Sequence, residues 1–403
     1  MSQALIALGS NEPSPAGLNP PPLSASSSPL PPAFRELAAN LDRAVARLSA
    51  TPGIRVLARS CWHVTAAAGG PAGQPTFLNG AVTIETAHCP WALLDLLLDI
   101  ERDGGRQRQC HWGPRPIDLD LLLYDGCVLD TPRLAVPHPR LGYRRFVLEP
   151  AAEVAADWLH PLIGWTIGQL ARHIAAPLNL VPVLGRDRST ITALIETVLT
   201  RVSGDYLRGP ERADRRTAIA SRRNTTASEL EFEIEFEAEQ CRRLVDAAQA
   251  ATRDGRRVLC DFWPTRALDA RSVPVNADDG HAWNVSTPAA ALLPAAALLP
   301  AAAVTPADAL GPRADIAPLP TPKLWVGMIG RSVAPRIWPP LGASPVAGTK
   351  GMAEAAAHAV DGHAADDRWR ARLTQPGRGP WLLLNPAAFD QAVAELIGAL
   401  ESL

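Results

Sequence analysis

The sequence predicts an α+β first half of the ferredoxin-like kind, an antiparallel sheet with helices on one face, and a parallel α/β second half. Three observations predict it. Residues 2–124 read strand, helix, strand, strand, helix, strand. Beyond residue 180, short apolar runs alternate with helical periodicity. Two low-complexity stretches, Pro/Ser-rich at 12–32 and Ala/Pro-rich at 286–320, separate these patterns as insertions or linkers.

In order, SQALIALG (2–9) is an apolar run ending at Gly9, a short strand. Phe34, Leu37, Leu41, Val45 and Leu48 recur at helical steps. Residues 54–65 and 77–85 return to strand character, and Pro90 opens a Leu-rich helix reaching Glu101. The run 117–124 is a further strand, and 130–150 is a Pro/Arg-rich loop with a short helical turn. This unit is expected to span 1–178. The second, 179–403, reads as strand, loop and helix over 181–199, a long helix at 229–252 and a strand at 256–263. Strands at 322–330 and 381–386 and a closing helix at 387–402 complete it.

With 403 residues and a formal net charge of −2, the chain has no bulk charge to draw it to nucleic acid or a membrane surface. The six cysteines are scattered, with no CxxC pair and no zinc spacing. The start lacks a basic segment followed by a long apolar one. These features predict a cytoplasmic protein with reduced thiols.

The chemistry gathers in HWGPRPIDLDLLLYD (111–125). Asp118 and Asp120 are i and i+2 on a strand, so they share a face. Two carboxylates so close repel unless a cation joins them, and Mg²⁺ is commonly held by one or two carboxylates with phosphates and water. Taken alone, the pair also fits a solvated strand edge. The neighbours favour a ligand: Arg106, Arg108 and Arg115 precede the pair, with Trp112 among them, and Arg133, His138, Arg140, Arg144 and Arg145 follow. Guanidinium forks suit phosphate oxygens, so a polyphosphate carrying Mg²⁺ is the simplest occupant. Phe77 and Asn79 share a strand face and pair a ring with an amide, as a flat hydrogen-bonding heterocycle requires.

The segment HWGPRPIDLDLLLYD resembles the signature of the hydroxymethyldihydropterin pyrophosphokinases of folate biosynthesis. ALGSN (7–11), FLNGAVTIET (77–86), IERDGGRQR (100–108) and VPHPRLGYRRFVLEP (136–150) extend the likeness across roughly residues 1–175. The resemblance implies transfer of pyrophosphate from ATP to 6-hydroxymethyl-7,8-dihydropterin, giving AMP and the pterin diphosphate. It implies that Asp118 and Asp120 bind two Mg²⁺ ions and that Arg106, Arg108 and Arg115 grip phosphates. Glu101, His111, Trp112, Arg133, His138 and Arg144 would complete the nucleotide site, and Thr65, Phe77, Asn79 and Phe146 the pterin pocket. The chain departs from the pattern at His111, where Arg is usual, which weakens the phosphate grip. Ala66 and Ala68 also depart, trimming the contacts beside the pterin.

Residues 179–403 more faintly resemble a deoxynucleoside-kinase-type P-loop domain, through LVPVLGRDRSTITALIETVL, VLCDFW and PKLWVGMIG. The segment GRDRST has one Gly, Ser189 and Thr190 but lacks the P-loop Lys, so this domain is expected to be degenerate and non-catalytic. Asp261 and Trp263 fit structural and functional roles equally. The expected partners are ATP and the pterin, with no nucleic acid and no membrane, and the second domain is available for protein contacts. Two other readings remain: a pterin- or nucleotide-binding pseudoenzyme acting as an interaction protein, and a bifunctional enzyme with a nucleoside kinase.

Overall fold

The computed structural model describes residues 1–14, 30–71, 73–106, 115–177, 179–185, 187–210, 229–262, 323–328, 336–338 and 379–403. The Ala/Pro stretch 286–320 and Trp263 lie outside them, as does most of the Pro/Ser insertion. Two compact units are present. The first is Met1–Ala176 with Arg331–Ala364 and Asp390–Leu403, and the second is Pro177–Gly330 with Ala365–Phe389.

The first unit runs β1 (Ser2–Ser10), α1 (Arg35–Ser49), β2 (Ile54–Arg59), β3 (His63–Thr65), β4 (Phe77–Thr86), α2 (Pro90–Asp103) and β5 (Asp118–Tyr124). Then come β6 (Val128–Asp130), β7 (Ala135–Val136), α3 (Arg145–Ala155) and α4 (Ile167–Ala175). The antiparallel sheet has the order β2-β4-β1-β5, and β3 pairs with the start of β4.

Strand alternation explains why this sheet has two different faces. On one face, Ile6 lies opposite Val82 and Leu121, and Leu8 opposite Leu119. They form one core with Leu41 and Leu48 of α1 and Leu93 and Leu97 of α2. On the other face Ala7 lies opposite Asp120, and Gly9 lies opposite Asn79 and Asp118. Here α3 packs on β4 and β1 with Val147, Leu148 and Ala151 buried. Helices therefore cover both faces, which corrects the expectation of one. Pro150 inside α3 removes a backbone donor, so the sequence reads only as a short turn there. Tertiary packing makes up the loss.

The expected strand 54–65 is two strands. The chain steps off the sheet at Ser60–Trp62, where Trp62 lies against Gly80; a Cβ on Gly80 would come within 2.2 Å of the indole. Helix α4 is additional to the sequence reading and carries a capping box, with Thr166 and Gln169 bonding each other's backbone N–H.

Just before α4, His160 is 4% exposed and its Nδ1 accepts the Ile163 N–H at 3.2 Å. Burial lowers its pKa from 6.5 to about 4. The native state thus binds this proton less readily than the unfolded chain does. Its contribution is complete above pH 6.5 and is lost as pH falls through 4, about 3 kcal/mol in all. Urea titrations of wild type and His160→Gln between pH 7.5 and 4 should show a flatter pH dependence in the variant. Parallel curves would discount this group.

In the second unit, β8 (Leu180–Gly185), α5 (Arg188–Leu199), β9 (Asp205–Leu207), a long helix Glu229–Arg253, β10 (Val258–Cys260), β11 (Trp325–Met328) and β13 (Trp381–Leu384) follow in turn. The strands are parallel in the order β13-β11-β8-β10-β9, with β8 central. The three-residue β9 is too short to carry a periodic signal in the sequence. Strand β12 (Arg336–Trp338) pairs with β6. The closing helix Phe389–Ser402 belongs, from Asp390 on, to the first unit. Among the described residues no helix is long and apolar enough to cross a membrane.

Candidate active site

The site lies on the sheet face that carries Ala7 and Gly9. Those two residues leave the middle of the face almost bare, so side chains of β4 and β5 can reach in from either side. The result is a cavity of about 180 Å³ lined by Phe77, Asn79, Asp118, Asp120 and the loop and helix residues described below.

Ser10 and Asn11 fix the approach to β5. Ser10 Oγ donates to the Pro116 carbonyl at 2.6 Å, and the Arg115 N–H donates to Asn11 Oδ1 at 2.8 Å. Buried Asn40 of α1 adds a bond to the Pro116 carbonyl at 3.0 Å. Arg115 is thereby aimed at the pair: its Nη1 donates to Asp118 Oδ2 at 2.8 Å. Arg106, just past the end of α2, binds Asp118 Oδ1 at 2.5 Å and also Glu101. Burial alone would raise the Asp118 carboxyl, but the Arg115 and Arg106 guanidiniums outweigh it and hold the pKa below the usual range.

Asp120 faces His138, whose Nε2 stands 3.8 Å from Asp120 Oδ2. The Arg140 N–H donates to His138 Nδ1 at 3.2 Å, so the neutral ring carries its proton on Nε2, toward Asp120. Burial depresses the His138 pKa, against the pull of Asp120 and with help from Arg144 and Arg140. Arg144 lies over the Phe146 ring, 5.4 Å from its centroid, and both line the cavity. On the opposite side Asn79 Nδ2 donates to Thr65 Oγ1 at 2.7 Å, leaving the Asn79 oxygen beside Gly9.

Thr65, Phe77, Asn79, Arg106, Arg115, Asp118, Asp120, His138, Arg144 and Phe146 thus meet at one cavity. Three expected residues lie outside the described residues: Arg108, His111 and Trp112. Two more are placed elsewhere. Glu101 is 3% exposed, behind the cavity wall, where it accepts the Leu119 N–H at 2.8 Å and the Arg106 guanidinium. Its pKa is pushed up to about 7, chiefly by burial, against the pull of Arg106. Arg133 pairs with Asp95 on the exposed surface, away from the cavity. Arg145, one of the flanking cations, likewise bonds Glu149 outside it. On a loop or helix start, sequence proximity does not decide which way a long side chain points.

The sequence reading did not count Gly9 as a site residue. A Cβ there would stand 2.9 Å from Asn79 Oδ1. Its signal was a glycine at the end of an apolar strand. Gly9→Ala should push the Asn79 amide out of line with Thr65. A fall of about tenfold in affinity for a ligand held at Asn79, with binding at the cationic rim unchanged, is the expected result; unchanged affinity would show that Asn79 yields without cost.

Two carboxylates on one face, open to a cation-rimmed cavity, fit Mg²⁺ held jointly by protein and phosphate oxygens. Among the described residues there is no cluster of three or more His, Cys, Asp or Glu able to hold a metal by itself. The donor set suits a metal that arrives with its phosphates.

Residues 33–156 match the family described as 7,8-dihydro-6-hydroxymethylpterin-pyrophosphokinase. The chain is 45% identical over 135 residues to the 2-amino-4-hydroxy-6-hydroxymethyldihydropteridine pyrophosphokinase of Synechocystis sp., covering 34% of this chain and 68% of that one. It is 48% identical over 120 residues to the protein of the same name from Methylorubrum extorquens, covering 30% and 75%. It is also 42% identical over 115 residues to the mitochondrial folate synthesis bifunctional protein of Arabidopsis thaliana, covering 28% and 21%.

Proposed function

The chain belongs to the 7,8-dihydro-6-hydroxymethylpterin-pyrophosphokinase family and transfers pyrophosphate in folate biosynthesis, and from that premise we propose how its own residues carry out the transfer. The observation behind the proposal is the Asp118–Asp120 pair facing a cavity whose rim holds Arg106, Arg115, His138 and Arg144.

In this reading ATP takes the cationic side and 6-hydroxymethyl-7,8-dihydropterin the side of Thr65, Phe77, Asn79 and Phe146. The pterin hydroxyl oxygen attacks the β-phosphorus of ATP. The bond from that phosphorus to the α–β bridging oxygen breaks, AMP leaves with the electron pair, and the hydroxyl proton passes to water. Asp118 and Asp120 would hold two Mg²⁺ ions, which would neutralise the triphosphate and the charge growing on the leaving group. Arg115 and Arg106 would exchange part of their hold on Asp118 for phosphate oxygens. Because Ser10, Asn11 and Glu101 already orient them, little ordering remains to be done at that point. Asn79 and Thr65 would hydrogen-bond the edge of the pterin, with Phe77 and Phe146 against its faces. Arg108, His111 and Trp112 would contribute to nucleotide binding, and the enzyme would act in the cytoplasm.

For the second unit we propose a kinase-like module without phosphotransfer. The Asp187 side chain accepts bonds from the Ser189 N–H and both the Ser189 and Thr190 hydroxyls. A carboxylate thus occupies the α5 N-terminus, where a phosphate would sit. Arg188 is bound to buried Asp261 at 2.8 Å and to the Pro210 carbonyl at 2.8 Å. These bonds favour the inert module over the bifunctional reading.

The test is to incubate the full chain with ATP, Mg²⁺ and 6-hydroxymethyl-7,8-dihydropterin and to resolve the adenine nucleotides. Pterin-dependent AMP without ADP is the expected product. A folded protein that binds ATP yet yields no AMP would be the pseudoenzyme instead.

A further inference from the structure

Loop 66–76, between β3 and β4, forms one wall of the pterin side through Ala66, Ala68, Gly69 and Gln74. Its sequence begins AAAGG, so it has little side-chain mass to pack with. Gly69 and Gly70 both have positive φ, 73° and 80°. Such a segment has high conformational freedom and holds one shape only if anchored from outside. One tie is internal, Gln74 Nε2 donating to the Gly69 carbonyl at 3.0 Å, and a second comes from just past the end of β1, Asn11 Nδ2 donating to the Pro75 carbonyl at 3.4 Å. The third comes from the far end of the chain. The Gly69 N–H donates to Glu401 Oε2 at 2.6 Å, across 332 residues of sequence.

The same helix also meets the cationic side. Glu395 Oε1 lies 3.7 Å from Arg140 Nη2, and Arg140 lines the cavity. One helix at the end of the chain thus places a carboxylate on each side of the cavity.

We propose that the helix Phe389–Ser402 is a positioning element of the pyrophosphokinase site. Through Glu401 it fixes the Gly69 segment of the pterin wall, and through Glu395 it restrains Arg140. The inference rests on the function proposed above. A charge-assisted bond to a backbone N–H fixes the loop in its binding shape before the pterin arrives, so its loss is felt in pterin binding and not in the phosphoryl chemistry.

Full-length wild type, Glu401→Ala and Glu401→Gln are compared by steady-state kinetics and by hydrogen exchange of the peptide spanning 66–76. In Glu401→Ala, pterin KM should rise about three- to tenfold with kcat and ATP KM unchanged, and exchange at 66–76 should quicken. Glu401→Gln should restore both, because its carbonyl accepts the same bond. Wild-type exchange and wild-type pterin KM in folded Glu401→Ala would overturn the proposal. So would a fall in kcat with unchanged KM, or a quickened loop that leaves KM untouched. Exchange needs no turnover, so a wild type that makes no AMP would count against the proposed function alone, and the loop anchor would still be read directly.

Discussion

Asp118→Ala/Asp120→Ala should lower pterin-dependent AMP formation by about a thousandfold or more. Both side chains reach the cavity from one face of β5, while Leu119 and Leu121 between and beyond them hold the strand in the core. The substitution therefore removes the negative charge and leaves the scaffold in place. It also leaves Arg115 and Arg106 without Asp118, so the cavity becomes strongly cationic. ATP without metal should still bind, and the Mg²⁺ dependence of binding should weaken. Nucleotide binding followed with and without Mg²⁺, beside the AMP assay, reads both effects. A folded variant retaining activity within about tenfold of wild type would take the pair out of the chemistry.

Arg106→Ala should damage stability and activity together. Its guanidinium bridges Glu101 and Asp118 with a side-chain exposure of 17%, against 4% for Glu101. Removing one partner of a buried ion pair costs about 3 kcal/mol or more, because the remaining charge stays desolvated. The sign with pH follows from Glu101, whose folded pKa of about 7 lies above its ordinary 4.5. Between those values the folded state binds the extra proton, so stability falls as pH rises through this window. Without Arg106 the Glu101 pKa moves higher still. The loss of stability should be largest near pH 8 and shrink toward pH 5, where Glu101 is neutral in both proteins. Urea melts at the two pH values measure this, and an equal loss at both would place the cost elsewhere. Arg106→Lys keeps the charge but not the fork, so it should recover part of the stability and little of the AMP rate.

Much of the fold was legible because it is local. Helices α1 and α2 announce themselves by apolar residues at three- and four-residue steps and, in α2, by Pro90 at the start. What escaped had weak or contradictory local signals. Helix α3 contains Pro150 and has no side-chain cap, so its packing on β4, β1 and α4 sustains it. The break at 60–62 depends on Trp62 meeting Gly80, a contact between strands that no periodicity encodes.

The site divides in the same way. The sequence by itself determined the Asp118–Asp120 pair, since a two-residue repeat on a strand fixes a shared face, and the Phe77–Asn79 pair for the same reason. It also determined the family, through ordered motifs that survive the Pro/Ser insertion. Only the tertiary structure decided which arginines serve the site. Arg106 and Arg115 turn to Asp118, whereas Arg133 and Arg145 turn to Asp95 and Glu149. Only the fold could show that Ala7 and Gly9 clear the cavity, that Glu101 stands behind its wall, and that Glu401 reaches Gly69. Backbone periodicity is set by neighbours along the chain. Long side chains and distant backbone groups find their partners only after the sheet has assembled.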